Sequence, residues 1–144
     1  ESFVAWLSDS TEDARDRVTV EASFRRLDHY PIANSRADLL DGFATNSLHV
    51  DEHGSHAVIP MGVQTGTFAD GTATLDHCDG WTTNVAPFKG TFGSQSYARS
   101  HRWTEGLLNT CNNTRRIYCF ANVVTVFWDG FENGLAGRWS SAVP

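Results

Sequence analysis

No apolar run in the sequence approaches the roughly 18 to 20 residues that cross a bilayer as a helix, so nothing in it reads as a membrane span. Positive charge is also scarce. The 11 Lys and Arg are outnumbered by 17 Asp and Glu, are scattered, and leave a formal net charge of -6. Without a basic stripe the electrostatic footprint of a nucleic-acid binder is missing. The opening Glu1-Ser2-Phe3-Val4 has neither the basic nor the apolar stretch of a secretion signal, which reads as a targeting segment absent or already removed. Cysteine occurs only three times and never as CxxC, which excludes a zinc ribbon. No GxSxG nucleophile elbow and no glycine-rich phosphate cradle occurs. Ser8-Asp9-Ser10 and Asp28-His29 supply hydroxyl, carboxylate and imidazole, but Asp9 and Ser10 read more economically as caps for a short helix at Thr11 to Arg17. Neither catalysis nor a cofactor is expected.

What is present is enough for one core. The 144 residues, 40% of them hydrophobic and 12% aromatic, match one ordinary domain that removes roughly two-thirds of its unfolded surface from water. Thr19 to Phe24, Ala57 to Val63, Arg116 to Phe120 and Val123 to Trp128 are rich in β-branched and aromatic residues and are separated by Gly, Asn, Asp and Ser. They predict short strands. Helix signals are confined to Asp9 to Arg17 and Ser35 to Leu40, neither long enough to organise a helical fold. The expected class is α+β, with short strands, long loops and one or two short helices. Seven of the 12 glycines fall between Gly62 and Asn109, which predicts a long excursion of irregular loops, and loops of that length are functional or need a staple.

The cysteines supply a staple in either of two ways. Cys111 and Cys119 are separated by seven residues and permit a hairpin bridge if the register returns the second thiol to the first. The other pairing joins Cys78, in HCDGWT, to Cys111 and closes the glycine-bearing excursion. In the chain-entropy description, closing a loop of about 30 residues stabilises by roughly 3 to 4 kcal/mol.

The order Cys78, Trp81, Trp103, Cys111 and Cys119, the last between Tyr118 and Phe120, resembles the second half of a C-type-lectin-like domain. The segments FVAWLSDSTEDARDRV, DLLDG at 38 to 42, VDEHG at 50 to 54, QTGTFADGT at 64 to 72 and CDGWTT at 78 to 83 are similar to a bacterial secreted family of unknown function with that fold, distantly related to the endostatin module of collagen. The resemblance covers about residues 3 to 121. It implies a domain over 1–121 lacking its first strand and helix, followed by a C-terminal strand and aromatic tail over 122–144. It also implies that Cys78 pairs with Cys111 and that the partner of Cys119 lies on an upstream helix not in this sequence. Cys119 would then be a free thiol prone to disulfide-linked dimers.

The resemblance further implies a secreted or cell-surface, non-catalytic binding or adhesion module whose long loops meet an extracellular protein or glycan. The Glu-Pro-Asn or Gln-Pro-Asp triplet and the Trp-Asn-Asp of calcium-dependent lectins are absent: the prolines stand in Ile59-Pro60-Met61 and Ala86-Pro87-Phe88, and Trp103 begins Trp-Thr-Glu. Sugar stacking on Trp81 or Trp103 is therefore the secondary reading. A second alternative is a metal-binding, endostatin-like module using His49, Asp51, Glu52, His53 and His56, ligand types that suit zinc or another borderline ion. In the tail, Phe127, Trp128, Phe131 and Trp139 are expected to dock on the domain or a neighbouring module.

Overall fold

Our computed structural model describes residues 2–56 and 62–122. In chain order the elements are β1 (Phe3–Ala5), α1 (Ala14–Arg17), β2 (Phe24–Arg25), β3 (Pro31–Ala33), α2 (Arg36–Leu39), β4 (Gly62–Gln64), α3 (Cys78–Trp81), β5 (Lys89–Ser94), a 3-10 turn at His101–Trp103, β6 (Leu107–Thr110) and β7 (Cys119–Ala121). Short helices and antiparallel strands share one core, so the class is α+β. β1 and β7 pair, as do β2 and β3, while β4, β5 and β6 form a three-stranded sheet in that order. The glycine-bearing stretch from Gly62 to Asn109, expected to be irregular, therefore holds almost all of the largest sheet. Its strands were hidden because Lys89-Gly90-Thr91-Phe92-Gly93-Ser94 lacks both β-branched density and alternation.

Gly93 explains part of that departure. A Cβ at this position would lie 1.7 Å from the Trp103 carbonyl oxygen, so the strand must carry glycine for the 3-10 turn to close over it. Elsewhere the expected elements shrink. Of Thr19 to Phe24 only Phe24 enters a strand; Thr19 and Val20 instead donate their backbone N–H groups to Asn122 Oδ1, at 2.9 and 3.2 Å. Of Arg116 to Phe120, Cys119 and Phe120 enter β7, and Arg116 makes one parallel bridge with Val63. Val123 to Trp128, the tail aromatics and residues 57–61 lie outside the described residues.

The helix signals mark the right places but are too generous. Ser8 Oγ, fully buried, accepts the Ala14 N–H at 2.7 Å and so caps α1, while Asp9 folds the turn ahead of it. Asp9 Oδ1 accepts from Thr11 N at 2.7 Å, Thr11 Oγ1 at 2.6 Å and Glu12 N at 3.1 Å. Ser35 caps α2 by accepting the Asp38 N–H at 3.1 Å. The same local chemistry recurs at Asp70 with Thr72, and at Asp51 with the backbone N–H groups of His53 and Ser55. Hydrogen bonds donated to the ionised forms, from Thr11, Thr72 and Ser55 respectively, hold all three carboxyls below the ordinary 3.8.

A depressed folded-state value means that the stability is present above the unfolded value and lost as pH falls through the folded one. Thermal unfolding followed by circular dichroism should therefore show a falling midpoint between about pH 5 and pH 2, with a smaller fall in Asp9→Asn. An unchanged midpoint across that window would remove these turns from the stability of the domain.

The core is built on two indoles. Trp6 and Trp103 are both fully buried, their ring centroids 5.2 Å apart, and Phe120 packs edge-on to each. Each indole N–H is satisfied: Trp6 donates to Thr104 Oγ1 at 2.8 Å and Trp103 to the Gly42 carbonyl at 2.9 Å. Val18, Ile32, Leu39, Val63 and Tyr118 complete the cluster. Burial pushes the Tyr118 phenol far above its ordinary value, and its hydroxyl donates to the Trp103 carbonyl at 2.9 Å.

Candidate binding surface

The loops on one side of the sheet are fixed by a covalent bond. Cys78 and Cys111 form a disulfide across 33 residues of sequence, with their Cα atoms 5.7 Å apart. Cys119 is free and exposed, and partial shielding together with the negative Glu52 pushes its thiol up.

The disulfide anchors a turn of unusual hand. Cys78, Asp79, Gly80 and Trp81 all have positive φ, between 53° and 64°, so α3 is a left-handed turn. Only glycine takes this conformation freely; each other L-residue costs about 1–2 kcal/mol. Neighbours hold it in place. His77 Nδ1 accepts the Gly80 N–H at 2.8 Å, the His77 carbonyl accepts the Trp81 N–H at 2.9 Å, and Trp81 Nε1 donates to the Ser8 carbonyl at 2.9 Å.

Of the two tryptophans considered as sugar platforms, Trp103 is excluded because no part of it reaches solvent. Trp81 is half-buried, its indole spent on Ser8 and its ring lying over Gly66 and Gly90. A Cβ at Gly66, whose φ is +59°, would meet both the Ser8 carbonyl and the Trp81 ring at 2.7 Å.

The apolar surface left in water lies nearby. Leu75 is 96% exposed, Leu107 76%, Leu108 56% and Phe68 43%. These four border one open cleft of about 350 Å³ whose wall includes Asp76 and Glu105. The polar groups along it are satisfied: the Thr74 and Thr91 hydroxyls are hydrogen-bonded at 2.9 Å, and Glu105 Oε2 accepts the Ala69 N–H at 2.9 Å. Thr74 and Leu75 also border a second depression that carries Asp9, Glu12, Asp13 and Asp16, so an apolar cleft runs into an acidic shelf.

β6 forms the rim of the cleft and the edge of its sheet. Thr91 donates its N–H to the Asp76 carbonyl and offers its own carbonyl to the N–H groups of Thr65 and Gly66. Its backbone groups therefore face away from β6, and by the antiparallel alternation those of its partner Leu108 face outward from the sheet. Thr110, two residues on, has its N–H covered by Asn109 Oδ1 at 2.8 Å. Leu108 thus presents an outward-facing edge beside exposed leucines. Residue pattern alone did not single these positions out; the signal was Leu107-Leu108 directly after Gly106, an apolar pair without alternation.

The acidic histidine loop resolves into two groups. Val50 and His56 bridge across a tight turn, and His49 Nε2 lies 3.2 Å from His56 Nδ1. Ser47 Oγ is 2.5 Å from His49 Nδ1, and Asp28 Oδ2 is 3.7 Å from His56 Nε2. Burial, then the Arg26 guanidinium and His56, hold His49 below its ordinary value. The other three expected ligands do not join them. His53 turns out toward Glu52, at 3.7 Å, and Asp51 Oδ1 is committed to the turn. Among the described residues no group of three or more His, Cys, Asp or Glu is arranged to hold a metal ion, so the five-residue set read from the sequence is not assembled. The reason is local: Gly54, at φ +77°, and the Asp51 turn splay alternate side chains apart. Among the described residues, too, no helix is long and apolar enough to cross a membrane.

No family model and no curated protein matches the chain.

Proposed function

We propose that this chain is a non-catalytic binding module of C-type-lectin-like type, secreted or displayed at a cell surface, that receives an extended segment of a partner protein along β6. The observation that carries the reading is the exposure of Leu75, Leu107, Leu108 and Phe68 around one cleft, beside an edge strand whose Leu108 backbone faces outward. Exposed apolar clusters of this kind mark interaction sites, and an open edge is a template for an added strand. Arg15 pairs with Asp13 and Arg17 with Asp9 and Glu12, so the four carboxylates of the shelf keep a smaller net negative charge, which favours a partner that follows its apolar residues with Lys or Arg. The C-type-lectin-like reading is supported by the Cys78–Cys111 bond within the loops and by β1 lying against β7.

Selection from a library of random displayed peptides tests this. Recovered sequences should combine alternating apolar residues with basic ones, and Leu107→Asp with Leu108→Asp should reduce their binding at least about tenfold, the equivalent of 1.4 kcal/mol. Selected peptides that bind the double variant equally would refute the β6 site. Sugar binding is the second reading, resting on the half-buried Trp81 alone; a glycan array probed with calcium and with chelator decides it, and silence under both conditions removes it.

A further inference from the structure

We infer that the cleft beside β6 is a specificity pocket for a basic side chain, Lys or Arg, carried by the segment that β6 receives. This rests on the reading of β6 as a peptide-receiving edge and adds the residue by which the segment is chosen. Phe68, Leu75, Leu107 and Leu108 supply exposed apolar wall, and Asp76 and Glu105 supply carboxylates to the same cleft of about 350 Å³. Among the described residues that line it none is Lys, Arg or His, so the two carboxylates meet no cation there.

Charge and length select the same kind of residue. Lys and Arg lay a methylene stem along apolar surface and keep a charged head in a polar place, which is what this lining asks for. An apolar side chain would cover the same walls but strip water from both carboxylates and give nothing in return. An acidic one would be repelled. The register then says where the basic residue stands. Thr91 and Leu108 are partners across β5 and β6, so their side chains share a face, and both border the cleft. A residue of the added strand that pairs with the outward-facing Leu108 backbone puts its side chain on that face too, and a long one is needed to extend from the edge into the cleft. Glu105 is held ready for it. The side chain is half-buried and Oε2 accepts the Ala69 N–H at 2.9 Å, which fixes the carboxylate in the wall. An acceptor set in advance lowers the ordering cost of binding.

The test starts from displayed peptides selected on the intact protein, whose binding should fall at least about tenfold when Leu107→Asp and Leu108→Asp are introduced together. These peptides should share a Lys or Arg. Replacing it with Met, which keeps a stem and drops the charge, should weaken binding to the wild-type protein about tenfold, within the range of a hydrogen bond to a charged group. Against protein carrying Asp76→Asn and Glu105→Gln the same replacement should cost less than about twofold, the signature of direct coupling. Asp16→Asn, on the acidic shelf, should leave the full cost of the Met replacement in place, which separates the cleft from the shelf. A second selection, on Asp76→Lys protein shown by circular dichroism to be folded, should exchange the basic residue for Asp or Glu and keep the apolar ones. An equal cost of the Met replacement in wild-type and Asp76→Asn, Glu105→Gln protein would overturn the pocket and leave the β6 site standing. Peptides that depend on the two leucines but share no basic residue would do the same. Peptides indifferent to the leucines would overturn both.

Discussion

Trp103→Ala should remove a large part of the stability of the fold and sharply lower its denaturation midpoint. Removing a fully buried tryptophan from a packed core costs about 3–5 kcal/mol, and small domains have only about 5–15 kcal/mol in total. Here the indole touches Trp6, Tyr118 and Phe120, and its loss also strands the Gly42 carbonyl. Its own backbone carbonyl accepts the Tyr118 hydroxyl and covers Gly93, so a shift of the 3-10 turn would reach β5 directly. Chemical denaturation followed by tryptophan fluorescence and circular dichroism checks the size of the effect. Trp103→Phe keeps most of the ring volume and should lose less than half as much. A loss below about 1 kcal/mol for the alanine variant would mean that the core does not depend on this side chain.

Opening the disulfide is the next largest effect. Replacing Cys78 and Cys111 together by serine should destabilise by roughly 3 to 4 kcal/mol, the chain-entropy value for a loop of 33 residues. The left-handed turn adds a local consequence. With the bond gone, three non-glycine residues lose one of the constraints that hold them at positive φ, so amide exchange should rise first at Asp79 to Thr83. Non-reducing peptide mapping should recover residues 78 and 111 in one linked fragment, with Cys119 alkylated or joined to a second copy. A recovered bond between 111 and 119, with 78 alkylated, would remove the covalent basis of the binding surface.

One helix start was legible in the sequence because capping is a local chemistry: Ser35 caps α2, whereas Asp9, expected with Ser10 to cap a helix from Thr11, folds only the turn ahead of α1, whose first N–H goes to Ser8. The disulfide was reachable as one of two pairings. Most of the sheet was not legible: the expected strand Ala57 to Val63 runs into β4 at Gly62 and Val63, but β5 is held by tertiary contacts at glycines, Gly93 under Trp103 and Gly90 beside the Cys78 sulfur, and not by residue preference. The cleft was missed for a related reason. Whether Leu75 or Leu107 is buried depends on which loop returns beside it, and the sequence spaces them 32 positions apart. The histidines show the opposite error, since crowding in sequence suggested convergence while a turn at Gly54 kept two of three rings together and sent His53 outward.

The clasp of β1 and β7 has a mechanical consequence. Phe3 lies opposite Ala121, so chain flanking either residue leaves from the same edge of the ribbon. A pull applied there peels the three residue pairs in succession, unzipping them instead of loading them in shear. What tension can then draw out is limited by the sulfur bridge, which keeps 33 residues, about 110 Å of extended chain, folded away behind it.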